Sequence, residues 1–262
     1  MSQDSEREVA LITGASSGLG TEFARLLAER SYDLVITARR EDRLKTLQKE
    51  LESAHRCKVE IILEDLGAPT GADALITKVE ALGRPVALLI NNAGYGVHGA
   101  LVENDSARLQ QMLQLNMMAL TRLTHHFARD MVARRRGRIL QVSSVGAFQP
   151  TPFYAAYSAT KAYVLFLAEA LQSELRGTGV TCTTLCPGLT ATEFHEAAQH
   201  PKTGLVAMTM MSARSVALIG IKAMLRGRAV VTPGFINKLS ELMVKLLPRS
   251  WATFGAGLLM RK

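Results

Sequence analysis

The chain has 262 residues, 48% of them apolar and 21% charged, which excludes a disordered polymer and is enough to bury one large core. With 31 basic and 23 acidic residues the net charge is +8, but the densest basic run, "ARRRGR" at 133–138, closes a helix-like segment where cations suit the helix dipole. No aromatic ladder or recognition-helix pattern accompanies it, so nucleic-acid binding is not expected.

The opening "MSQDSEREV" is polar and runs straight into a strand-like segment, so no secretory leader is read there. Strand candidates follow in order: "VALIT" (9–13), "LVITA" (34–38), "VEIIL" (59–63), "VALLIN" (86–91), "RILQVS" (138–143), "VTCTTLC" (180–186) and a short "AVVT" (229–232). Several are apolar almost throughout, as strands covered on both faces should be. Helix-like stretches such as "GTEFARLLAER" and "YSATKAYVLFLAEALQSEL" lie between them. That alternation predicts an α/β fold: one domain of right-handed βαβ units, a doubly wound parallel sheet of about seven strands with helices on both faces. Its ligand crevice should lie at the carboxyl ends of the strands. The cysteines, Cys57, Cys182 and Cys186, have no metal-ligand partners nearby in sequence and read as core thiols. No run approaches the roughly 18 apolar residues of a membrane span, and a cytoplasmic location is expected.

The loop after the first strand, "TGASSGLG" (13–20), carries Gly14, Gly18 and Gly20 and opens the first helix. Glycine permits the turn and close backbone approach, and the helix N-terminus offers unpaired N–H groups to a pyrophosphate, with Ser16 and Ser17 as further donors. A purely structural turn is the competing reading. At the end of the second strand, "TARRED" has Ala38 where an acid would bind the ribose hydroxyls of NAD. Arg39 and Arg40 follow, and a guanidinium matches a phosphate bidentately, so the pair reads either as a clamp for the 2′-phosphate of NADP or as a solvated basic loop.

The series "TGASSGLG", "NNAG" (91–94), "QLN" ending at Asn116, "VSS" (142–144), "YSATK" (157–161) and "PGLTAT" (187–192) resembles the classical short-chain dehydrogenases/reductases over nearly the whole chain. The resemblance implies a Rossmann-type fold and an NADP(H)-dependent oxidoreductase, with NADPH preferred over NADH. Its reaction would be hydride transfer between nicotinamide and a carbonyl or secondary alcohol. Tyr157 and Lys161, four apart, share one helical face and can reach the same ligand. A free tyrosine has a pKa of about 10, and a neighbouring ammonium would draw it toward the working range. Tyr154 is followed by Ser158 and Tyr163 by Leu167, so only Tyr157 has the lysine.

By the resemblance, Tyr157 exchanges a proton with the substrate oxygen and Lys161 also binds the nicotinamide ribose. Ser144, rather than its neighbour Ser143, hydrogen-bonds the carbonyl. Asn116 holds, through its backbone, a water leading from the lysine to solvent; the residue alone reads as an ordinary helix position. The glycine-rich loop, Leu19 included, would hold the cofactor phosphates. Asp65 would bind the adenine amine beside Leu66. Asn92, Ala93 and Gly94 would line the adenine ribose side, and Pro187, Gly188, Leu189, Thr190 and Thr192 the nicotinamide side. Some NADP enzymes of the family carry a basic residue where Ser17 stands, so phosphate binding falls here on Arg39 and Arg40. A catalytically idle NADP-binding sensor or scaffold is the alternative, and the intact Asn116, Ser144, Tyr157 and Lys161 set argues against it.

Substrate choice is expected in 94–99, 145–154 and a lid at about 193–211. Phe148, Phe153, Tyr154, Phe194, Met208, Met210 and Met211 are candidates for an apolar pocket, half of them equally readable as core; His98 and His195 read as surface-loop residues, with contact to substrate as the alternative. The C-terminal extension, about 235–262, is amphipathic and basic. It is expected to pack on the domain or join subunits of a homodimer or homotetramer, with membrane-surface contact less favoured. On the helix after Tyr157, Val164, Leu167, Ala168 and Leu171 are the candidates for an exposed subunit contact.

Overall fold

Every apolar run becomes a strand within a residue of its expected bounds. These are β1 (Val9–Thr13), β2 (Asp33–Ala38), β3 (Val59–Leu63), β4 (Val86–Asn91), β5 (Gly137–Val142), β6 (Val180–Leu185) and, after two short strands β7 (Thr190–Ala191) and β8 (Met211–Ser212), β9 (Val230–Val231). The structure, a computed structural model, describes residues 7–191 and 210–260. One parallel sheet of seven strands has the order β3-β2-β1-β4-β5-β6-β9, and β7 pairs separately with β8. This is a Rossmann-type doubly wound sheet. All residues of β1 and β4 are buried, because helices cover both faces of these central strands.

On one face lie α1 (Gly18–Ala28), α2 (Glu41–His55) and α7 (Ala213–Leu225), on the other α3 (Gly71–Glu80), α5 (Leu120–Ala133) and α6 (Ala155–Glu174). Phe23, Leu26 and Leu27 of α1 meet Ile12, Leu140 and Leu185 on the first face; Leu123 and Phe127 of α5 meet Leu11, Leu89 and Ile139 on the second. Burying each such side chain contributes about 1.5–3 kcal/mol. Cys57 and Cys182 belong to these cores and Cys186 to a small cluster with Ala147 and Leu165; burial pushes Cys182 and Cys186 up to about 12. The basic run is tied down at the sheet's amino edge: Arg134 donates to the Val86 carbonyl and Asp130, and Arg136 pairs with Glu8.

Strand order reverses between β1 and β4, which opens the crevice at their carboxyl ends. The chain closes with α8 (Phe235–Leu246) and α9 (Arg249–Met260) beyond β9. No helix among the described residues is long and apolar enough to cross a membrane. The expected outward face of α6 needs correction. Val164 and Ala168 are core residues and Leu167 and Leu171 are half-buried, because the helix turns that stripe to the sheet; Tyr163 and Phe166 face outward instead. Thr192, Phe194, His195, Met208 and most of the expected lid lie outside the described residues. Of the rest, Met211 packs against the core as part of β8, and Met210 is exposed.

Candidate active site

The turn after β1 is held by strand ends on both sides. Gly14 takes φ +67°, a conformation that favours glycine, and its N–H donates to the Thr37 carbonyl of β2 at 2.9 Å. A Cβ at Gly14 would lie 2.9 Å from the Ala93 Cα, and one at Gly20 would collide with the Gly14 carbonyl. Asn92 Nδ2 donates to the Thr13 and Gly14 carbonyls at 3.0 and 3.2 Å, and the Asn92 and Ala93 amides donate to Thr13 Oγ1. The "NNAG" segment therefore braces the glycine-rich loop. α1 starts at Gly18, behind Ser17, whose side chain makes no capping hydrogen bond. Helix N–H groups with no side-chain cap and a close-approaching glycine backbone fit an anion such as a pyrophosphate.

Next to the loop, Arg40 places Nε and Nη2 at 3.2 and 3.1 Å from Ser16 Oγ. Arg39 is exposed, with Nη1 3.8 Å from Asp65 Oδ2, while Asp65 Oδ1 accepts the Gly67 amide at 2.9 Å. Both guanidiniums and the Asp65 carboxylate thus stand at one end of the crevice. The Leu66 side chain beside Asp65 is buried in the core, so its backbone is the part that can face a ligand.

At the other end, β5 and α6 converge. Ser143 and Ser144 are adjacent and face opposite ways. Ser143 Oγ donates to the Lys161 carbonyl at 2.7 Å, a structural bond, whereas the Ser144 hydroxyl is hydrogen-bonded to the Tyr157 phenol and accepts the Gly146 amide at 3.1 Å. Lys161 is 5% exposed; its Nζ donates to the Val142 carbonyl at 2.9 Å and lies 5.7 Å from the centre of the Tyr157 ring. Gly94 completes the cluster. A Cβ there would lie 3.0 Å from Asn116 Oδ1 and 3.4 Å from Lys161 Nζ, so glycine keeps this corner open.

Asn116 lies in a stretch of π-helix, Gln114–Ala119, that joins α4 (Ser106–Leu113) to α5. Such turns displace backbone carbonyls from the regular ladder and recur at functional sites. Its buried side chain accepts the Tyr95 amide and donates to the Tyr95 carbonyl and to Thr160 Oγ1; Thr160 in turn donates to the Tyr157 carbonyl at 2.7 Å. Thr160 is a link that sequence reading passes over, and its place three residues after Tyr157 is the only signal for it. Along the 187–190 segment, the Pro187 carbonyl accepts the Val145 amide, and the Leu189 carbonyl accepts the Met211 amide. Thr190 Oγ1 donates to the Gly188 carbonyl, and Gly188 itself packs against Asn237 of α8.

The aromatic surroundings divide. Tyr154 packs edge-on to Tyr157 at 5.8 Å, and His98 lies 4.9 Å from Tyr154, with Phe153 at a strained φ of +64° beside them. His98 is not a loose loop residue: its Nε2 is 3.3 Å from the Met260 carbonyl of α9. Phe148 lies elsewhere. It lines a cavity of about 650 Å³ between α6, the 147–152 loop and the C-terminal helices, which Tyr157 does not reach.

The electrostatics depart from expectation in one respect. Tyr157 is pushed up, not drawn down: burial dominates, the Ser144 bond opposes it, and the Lys161 amine is directed at the Val142 carbonyl. A neutral phenol is the form that can give a proton. Burial lowers Lys161 to about 8. Its folded value lies below the unfolded value of ~10.4, so the cost of burying the ammonium is fully present below pH 8. That cost fades as pH rises from about 8 to ~10.4, where the unfolded chain binds more protons. Lys161→Met should therefore raise the stability of the cofactor-free protein at pH 7 by about 1–2 kcal/mol, after the loss of one hydrogen bond. Urea unfolding at pH 7 and pH 10 measures this; the gain should shrink at the higher pH, and a destabilised variant at pH 7 would contradict the assignment.

Residues 8–203 match the family model described as short chain dehydrogenase. The chain belongs to the short-chain dehydrogenase family. It is 36% identical to a putative ketoacyl reductase of Streptomyces coelicolor over 198 residues, covering 72% of each protein. It is also 36% identical to a very-long-chain 3-oxoacyl-CoA reductase of Pyricularia oryzae over 174 residues, 65% of this chain and 53% of that protein. The chain spans about half the length of such relatives. Among solved structures, a short-chain dehydrogenase from Sphingobium yanoikuyae in complex with NADPH superimposes with a TM-score of 0.81 at 31% identity, over 91% of this chain and 94% of that one.

Proposed function

We propose that the protein is an NADPH-dependent reductase of a ketone carried on an apolar substrate. The observation that carries this reading is the convergence of Ser144, Tyr157 and Lys161 on the corner that Gly94 leaves open. A bound NADPH would supply the hydride. Ser144 orients and polarises the carbonyl oxygen by a hydrogen bond, and Tyr157 donates the proton that this oxygen gains. Lys161, with Asn116 behind Gly94, positions the ribose and replenishes the tyrosine proton. Gly14, Ser16, Ser17, Gly18, Leu19 and Gly20 hold the phosphates, and Arg39 and Arg40 take the 2′-phosphate. Asp65 holds the adenine, while Asn92, Ala93, Pro187, Gly188, Leu189 and Thr190 frame the rest of the cofactor.

The relatives' names make 3-oxoacyl thioesters the first substrates to test, and the aromatic group of Phe153, Tyr154 and His98 supports an apolar substrate. The test is NADPH oxidation with a panel of 3-oxoacyl thioesters and bulky ketones, alongside direct cofactor binding. Tight NADPH binding with no turnover of any carbonyl would favour an idle cofactor-binding protein.

The outward Tyr163 and Phe166 on α6 support a homodimer or homotetramer. Sedimentation in dilute buffer should find two or four 28.5 kDa chains per particle, and a clean monomer would reject this.

A further inference from the structure

The two C-terminal helices face the wrong way for ordinary packing. On α8, Phe235, Leu239, Leu242 and Leu246 follow the i, i+4, i+7, i+11 spacing of one helical stripe, and all are exposed, Phe235 by 79% and Leu246 by 72%. No α8 residue is buried. The helix is held to the rest of the chain by polar groups on its other side. Asn237 backs onto Gly188 and donates to the Pro233 carbonyl, and Glu241 accepts from Thr232 Oγ1 at 2.7 Å. α9 repeats the arrangement. Its small Ala252 and Ala256 are buried, while Trp251, Phe254 and Leu258 stand in solvent. An apolar surface of this extent on a folded protein marks a contact with something else.

Charge and composition say what. Residues 235–262 hold five cations, Lys238, Lys245, Arg249, Arg261 and Lys262, against one acid, Glu241, a net of +4 (5 − 1). That acid is already paired with Lys245. A second copy laid face to face would bring two such tails together, whereas an anionic lipid surface would neutralise them. Tryptophan and phenylalanine between apolar core and cations suit the headgroup boundary. Each helix has 12 residues, about 18 Å, too short to cross a hydrocarbon core of roughly 30 Å. We propose that α8 and α9 dock in the plane of an anionic lipid bilayer, apolar stripes down. Their contacts with Gly188 and His98 put that surface beside the loops of the candidate active site.

Trp251 is the only tryptophan in the chain and lies on the proposed face, so its emission reports docking directly. The full-length protein is mixed with vesicles of equal parts phosphatidylglycerol and phosphatidylcholine, or of phosphatidylcholine alone. The expected result is a blue shift and co-sedimentation with the anionic vesicles, weakened by salt. Lys238→Gln should lower the partition roughly fivefold, the equivalent of ~1 kcal/mol for one cation at an anionic surface. The double variant Leu242→Glu, Phe254→Glu should abolish it while keeping turnover of a water-soluble ketone, which also shows that the variant folds. Unchanged emission with anionic vesicles would overturn the proposal. So would equal, salt-independent binding to both vesicle types. A blue shift that grows with protein concentration in the absence of lipid would assign the stripes to a second copy instead.

Discussion

Tyr157→Phe is expected to lower kcat for carbonyl reduction by ~10²–10⁴-fold, the usual worth of a positioned general acid, and to leave NADPH affinity within a few fold. The substitution removes one oxygen and nothing else. The ring keeps its edge-on packing against Tyr154, and the backbone carbonyl of residue 157 still accepts from Thr160. Ser144 Oγ keeps its bond from the Gly146 amide, so the serine is not left free to turn away. The loss should appear in kcat more than in KM, because the proton is needed only as the oxygen becomes an alkoxide. Single-turnover reduction and NADPH titration of the variant separate the two. Activity within about tenfold of wild type would remove Tyr157 from the role of proton donor.

Wild-type protein should prefer NADPH to NADH, and Arg39→Ala with Arg40→Ala should erase that preference. A charge-assisted bond to phosphate is typically worth ~1.5–3 kcal/mol, or roughly 10- to 150-fold. The two arginines start from different places. Arg40 already rests on Ser16 at the glycine-rich loop, while Arg39 leans across the crevice toward Asp65. Arg39 is mostly exposed and only 3.8 Å from its carboxylate, so its pairing is weak and easily exchanged for a phosphate. Arg39→Ala alone should cost most of the NADPH efficiency with little change for NADH, and the double variant more. Ala38→Asp places a carboxylate at the end of β2, where it would bind ribose hydroxyls and repel the phosphate; it should shift preference toward NADH. Measuring kcat/KM with both cofactors decides the matter. A wild type that favours NADH would show that "TARRED" is no phosphate clamp and leave family membership untouched.

The sheet was legible because strands covered on both faces are nearly continuous apolar runs, and β1 and β4 are the clearest cases. The clustering of Tyr157, Lys161 and Ser144 was legible from helical spacing and resemblance together. The π-helical stretch at Asn116 was not, since no residue type favours it and its bonds go to distant Tyr95 and Thr160. Nor was the direction of the stripe on α6 or α8. Periodicity reports that a helix has two faces; which one turns inward depends on tertiary partners such as Thr232 for Glu241. The rise in the Tyr157 pKa was hidden for a related reason, because burial is a property of the fold and outweighs a neighbour predicted from spacing.

The two bonds between the end of β5 and the middle of α6 have a mechanical meaning. Ser143 Oγ reaches the Lys161 carbonyl and Lys161 Nζ reaches the Val142 carbonyl, a double stitch from strand to helix. The spacing between Ser144 and Tyr157 is therefore set by their neighbours rather than by their own hydroxyls. Ser144 and Tyr157 can be exchanged without removing either stitch, whereas Lys161 belongs to both the frame and the working parts. Ser143→Ala, which removes no reacting atom, would cut one of the two stitches and leave that spacing to the Lys161 bond and to core packing.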